Sequence, residues 1–199
     1  GAGKLLVDML NSDNDSRLNI YFLGNGTSQI IGSSPGDSVQ NASILNITGY
    51  YGMSWSPEFI SWYENSFIMA ECNYRLGNES IALEKLNETL EAIEQRWRTL
   101  GYANASIPRY QNLSGEDLLE AIMNEKYKAL FLNIQSWSDW RRTTYPKFIN
   151  SDSNSTECGG TFGGLGVPRR LLYPEKEKSS NPNCPQYDGI YDRLENDPN

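Results

Sequence analysis

The sequence contains no histidine. That absence excludes Ser-His-Asp and Cys-His nucleophile pairs, a histidine general base and a His-ligated catalytic zinc. Basic residues are in deficit: 17 Lys and Arg face 25 Asp and Glu, for a formal charge of -8 and a pI near 4.6. Phosphate contacts dominate nucleic-acid binding, so this balance argues against a nucleic-acid partner. No run approaches the roughly 18 consecutive apolar residues of a membrane helix, and no charged-then-apolar leader opens the chain. No metal site and no cofactor is expected. Carboxylates are plentiful, yet no spacing singles out the acid pair a glycosidase needs.

What remains is a chain of 199 residues, long enough for one large domain or two small ones with a real core. Its aromatic content of 12% is too high for a disordered polymer. The start at Gly1-Ala2-Gly3-Lys4, directly before an apolar run, reads as that of a fragment, a processed form or a trimmed chain. Cys72 lies in a helical pattern and is expected to be a small buried hydrophobe. Cys158 and Cys184 fall in Gly- and Pro-rich loops and form a plausible disulfide outside the cytosol. Closing that loop would contribute about 3 kcal/mol.

Residues 1–55 read as loop-rich, with turn chemistry at residues 11–16, 24–26 and 32–37. Leu18, Ile20, Phe22 and Ile30-Ile31 are candidates for short strands. Residues 56–145 read as helical. Ser56 as N-cap, Pro57 and Glu58 predict a helix start, followed by Phe59, Tyr63, Phe67, Ala70 and Tyr74 at steps of three and four. Gly77 closes it. A second helix from about Asn78 carries the stripe Leu83, Leu86, Leu90, Ile93, Trp97 and Leu100, and Gly101 ends it. The short connection predicts an antiparallel hairpin. A third helix begins at the capping pattern Ser114-Gly115-Glu116-Asp117. Its face is Leu119, Ile122, Met123, Tyr127, Leu130, Phe131 and Ile134, and it runs into Trp137-Ser138-Asp139-Trp140-Arg141-Arg142. Residues 146–199 read as irregular.

Three features invite chemistry. Asp139, Arg141 and Arg142 beside Trp140 suit either a buried charge network with stacked guanidiniums or a recognition site for an anion or planar ligand. Tyr50, Tyr51, Trp55, Phe162 and Tyr187 lie in loops rich in Gly, Asn, Asp and Ser. Such rings either stack on the apolar faces of sugars, with polar neighbours bonding the hydroxyls, or pin long loops to the body. Nine Asn-x-Ser/Thr triplets, from Asn14 to Asn154, exceed chance and leave open a heavily glycosylated secreted protein or an Asn-rich bacterial surface protein.

Several segments taken together resemble a known family. Residues 63–71, with Phe67, Ala70 and Glu71, and the turn Leu76-Gly77 are similar to the "E-x-x-F-x-x-A-E" helix of SusD/RagB-type nutrient-binding lipoproteins. Ile122-Met123-Asn124-Glu125-Lys126-Tyr127, then Trp137 to Thr143, resemble the part of the SusD-like branch carrying "E-x-W-x-D-W-R-R-T". Val167-Pro168-Arg169-Arg170-Leu171-Leu172-Tyr173-Pro174 resembles its "I-P-R-R-L-x-Y-P", with Glu177 and Asn181 after it. Residues 13–18 are similar to its "D-P-R-L" turn, with Ser16 in place of Pro. Gln135-Ser136 departs from the usual Gly-Gln-Glu.

The resemblance implies a mainly α fold, with tetratricopeptide-like helix hairpins packed against a loop-rich ligand-binding part. It implies a non-catalytic lipoprotein of the Bacteroidetes outer membrane that binds oligosaccharides or peptides at the cell surface and lids a SusC-like TonB-dependent transporter. Asp139, Trp140, Arg141, Arg142, Arg169 and Arg170 would then hold the fold. Relatives are longer and begin with a lipidated cysteine, so residues 1–199 are expected to be the C-terminal portion of one SusD-like domain, its anchor outside this chain. The alternative is a helical scaffold module that binds a protein partner.

Overall fold

A computed structural model describes residues 2–34, 42–148 and 173–184. The chain divides into two compact units, one of residues 1–33 and 38–147, the other of residues 34–37 and 148–199. Within the described residues the fold is mainly helical, as the resemblance implied, and its one sheet has two short strands.

The first unit opens with two helices where loops and strands were expected. Helix α1 (Lys4–Ser12) buries Leu6, Val7 and Leu10 on one face. Helix α2 (Arg17–Tyr21) takes up Leu18 and Ile20. Only Phe22 of the expected strand residues joins a strand: β1 (Phe22–Leu23) pairs antiparallel with β2 (Ile44–Leu45). The segment carrying Gly32 crosses the start of α1, where the Ser33 carbonyl accepts from the Lys4 N–H at 3.0 Å. A Cβ on Gly32 would lie 2.5 Å from the Lys4 Cα, so only glycine fits there.

Helix α3 (Trp62–Arg75) begins five residues later than Ser56 implied. Ser61 is the N-cap: its Oγ accepts from the Glu64 N–H at 3.2 Å, in the Ser-x-x-Glu register of a capping box. Ser56 has Phe59 at the corresponding place, and Phe59 is 89% exposed on a loop. Phe67, Ala70 and Glu71 form the buried face of α3. Cys72 lies outside that arc and is exposed, which corrects its reading as a core residue.

Gly77, at φ +79°, turns the chain into helix α4 (Glu79–Thr99). Leu86, Leu90, Ile93 and Trp97 are buried as the stripe required, Leu83 is half-buried, and Leu100 is exposed at the C-terminal end. Helix α5 (Gly115–Ala129) packs on α3 and α4, burying Leu118, Leu119, Ile122 and Met123. Ser114 precedes it without a side-chain capping bond. The expected continuous run into Trp137 is broken at Leu132, at φ +67°, and helix α6 (Gln135–Thr143) starts afresh. Ile134 is left exposed at that break. In the second unit the described helix is α7 (Glu175–Ser180).

Candidate ligand-binding site

The loop after β2 carries three of the five aromatic residues expected to meet ligand. Its backbone is fixed locally: the Tyr50 N–H donates to the Tyr102 hydroxyl at 3.0 Å, and the Trp55 N–H to the Gly52 carbonyl at 2.9 Å. Tyr51 meets Tyr50 and Trp55 edge-on, each at 5.1 Å between ring centroids. Tyr50 stands edge-on to Trp97 of α4 at 4.7 Å. Phe131 lies 5.7 Å from Tyr51 and stacks on Tyr21 at 5.0 Å. Tyr51 is buried and pins the loop to the body, while Tyr50 and Trp55 are half-buried and keep part of their faces open. Burial pushes the Tyr51 hydroxyl well above its ordinary range.

A cavity of about 50 Å³ opens among Tyr50, Tyr51, Trp55, Tyr63, Arg96 and Trp97. It has room for water-sized molecules but not for a sugar ring, since small-molecule pockets start near 300 Å³. Its rim is charged. Arg96 donates to the Tyr50 hydroxyl at 3.1 Å and to the Glu58 carboxylate, while the Tyr63 hydroxyl donates to the other Glu58 oxygen at 2.9 Å. The guanidinium also lies 5.6 Å from the ring centroids of both Tyr63 and Trp97. Burial and the bond to Glu58 push the Tyr63 hydroxyl up to about 12, so at neutral pH it remains a donor. Burial opposes the charge of Arg96, but the facing Tyr50, Glu58 and Tyr63 outweigh it and hold Arg96 above its ordinary value. Glu58, Tyr63 and Trp97 were read as helix start and core stripe, and Arg96 was not singled out. No local spacing links position 58 to position 96.

The motif residues meet elsewhere in the same unit. Arg142 of α6 forms a two-pronged ion pair with Glu71 of α3, one arm at 2.8 Å, and reaches Asp139 at 2.8 Å. Asp139 also pairs with Lys126 of α5 at 2.7 Å, so one network ties three helices. Arg141 lies 5.1 Å from the Trp137 ring centroid, and Trp137 and Trp140 are half-buried. The chain's opening turn joins a second network. Arg17, fully buried, pairs with Asp15 and with Glu125 of α5, each at 2.5 Å. Lys128 bridges Glu125 and Asp13 at 2.5 and 2.8 Å, and the Tyr110 hydroxyl donates to Glu125 at 2.7 Å. Adjacent residues Glu125 and Lys126 thus serve different networks.

A family model for SusD-like proteins, described as starch-binding and associating with the outer membrane, matches residues 2–174. The chain belongs to this SusD-like family. No curated protein matches it. Membership associates the chain with glycan binding and with the outer membrane. Among the described residues, no helix of this SusD-like protein is long and apolar enough to cross a membrane. Phe162, Tyr187, Arg169, Arg170 and Cys158 lie outside the described residues. Cys184 is described and buried, but the expected disulfide rests on Cys158.

Proposed function

We propose that this SusD-like chain captures oligosaccharides at the cell surface, without transforming them, for import through a SusC-like TonB-dependent transporter. In this reading it sits on the extracellular face of the outer membrane, held by a lipid anchor beyond these 199 residues. The observation that carries the reading is the convergence of Tyr50, Tyr51 and Trp55 on Trp97, beside the charged rim of Arg96, Glu58 and Tyr63. Half-exposed rings supply stacking faces for sugars, and the rim supplies hydroxyl partners. The Asp139, Trp140, Arg141 and Arg142 motif acts as scaffold. Isothermal titration of the chain against a glycan and peptide panel tests this, with Trp55→Ala expected to weaken binding tenfold or more. No heat with any member of the panel overturns it.

One observation favours a second reading, a helical module that binds a protein partner. Trp62, Met69, Cys72 and Leu76 form an exposed line along α3, at steps of seven, three and four. Met69→Glu would abolish capture of such a partner and leave glycan titration unchanged. Loss of glycan binding in that variant would count against this second reading.

A further inference from the structure

The rim of the aromatic site already holds a carboxylate. Glu58 accepts from Arg96 through one oxygen and from the Tyr63 hydroxyl through the other, at 2.9 Å. Both donors are set rigidly: Tyr63 and Arg96 stand on α3 and α4, and the Arg96 guanidinium is hemmed by the Tyr50, Tyr63 and Trp97 rings. The acceptor is set loosely. Glu58 belongs to residues 56–60, where no backbone N–H or C=O forms a hydrogen bond, and Phe59 and Ile60 are each 89% exposed. The Glu58 carboxylate is the hydrogen-bonded tie between this strap and the helices beneath it. Solvent reaches the pair from the Glu58 side, 36% exposed against 23% for Arg96, so water can take over the bonds of the departing carboxylate. The donors are therefore preorganised and their present occupant is exchangeable.

Resting on the glycan-binding reading above, we propose that Arg96 and Tyr63 form a carboxylate subsite, closed here by Glu58, and that the preferred ligand is an oligosaccharide bearing uronic acid. The sugar carboxylate replaces Glu58 on the same two donors. The strap then moves off the cavity of about 50 Å³ and opens it to a sugar ring, which stacks on Tyr50 and Trp55. Phe59 and Ile60, released with the strap, are free to close over the ring from the solvent side. The net charge of -8 opposes an acidic ligand at long range. At 0.15 M salt that field is screened beyond about 8 Å, and the local donors decide.

The test is titration of the full chain with a tetrameric uronic-acid oligosaccharide and with its carboxyl-reduced counterpart of the same linkage. The acid is expected to bind at least tenfold tighter. Glu58→Ala, which removes the internal competitor, should tighten the acid, and by at least threefold more than it changes the reduced sugar. Arg96→Gln should erase the preference. Should that variant misfold by circular dichroism, Tyr63→Phe keeps the ring packing and is expected to weaken the acid at least threefold more than the reduced sugar. Equal affinity for the two sugars, or weaker acid binding in Glu58→Ala, overturns the subsite and leaves the glycan reading standing. Binding of neither sugar, together with silence across the wider panel, overturns both.

Discussion

Arg17 sits at full burial between Asp15 and Glu125, and its charge is balanced by groups that have also left water. Removing one member strands another, which costs about 3–5 kcal/mol. Glu125→Ala is therefore expected to destabilise the chain by that amount in urea titration, whereas Lys85→Ala, which breaks the exposed pair with Glu88, should change it by about 0–1 kcal/mol. A small loss in Glu125→Ala would show that the cluster is not tightly coupled. The residue types of this cluster were legible as motif fragments, but its geometry was not, since Arg17 and Glu125 are 108 positions apart. The Asn-x-Ser/Thr triplets show the reverse. Asn46 gives its amide to the Ile20 carbonyl at 3.2 Å, and Asn87 gives its amide to the Tyr110 carbonyl at 2.9 Å, so at these two positions the amide already serves the fold.

Helices were legible where burial and local signals agreed. The α4 stripe runs over several turns, and its middle members are fully buried because α3 and α5 cover them. Leu90→Ala removes a wholly buried side chain from that seam and is expected to cost about 2–5 kcal/mol by thermal or urea unfolding. Boundaries were less legible, because two serines competed for one N-cap. Ser61 prevails with Glu64 at the third helical position, while Ser56 offers Phe59 there. Ser61→Ala should cost about 1 kcal/mol, and Ser56→Ala nothing measurable. Equal losses would contradict the cap assignment. Helix α1 escaped notice for a physical reason: Gly3 gives it no side-chain cap, and its nine residues carry only three buried apolar positions. The aromatic site was half legible, since Tyr50, Tyr51 and Trp55 are neighbours in sequence. Glu58, Tyr63 and Arg96 were not, because pairing across the α3–α4 hairpin brings them together.

On the scale of the chain, the missing histidine sets how stability responds to pH. Histidine is the side chain whose unperturbed pKa falls between pH 5 and 8, and none is present to titrate there. The carboxylates behave differently. For Glu125, burial raises the pKa but Arg17 and Lys128 outweigh it, and the net direction is down. For Glu71, burial again opposes, and Arg142 and Arg75 prevail. Both groups thus bind protons more weakly folded than unfolded. Their contribution is complete above the unfolded value of about 4.3 and is lost as pH falls through the lower folded values, where unfolding takes up protons. Urea midpoints are expected to stay level from pH 8 down to about 5.5 and to fall steeply below about 4.5. In Glu71→Gln the plateau should be lower and the acid slope shallower, because one linked proton is gone. A midpoint shift centred between pH 6 and 7 would contradict this account, since no described group would explain it.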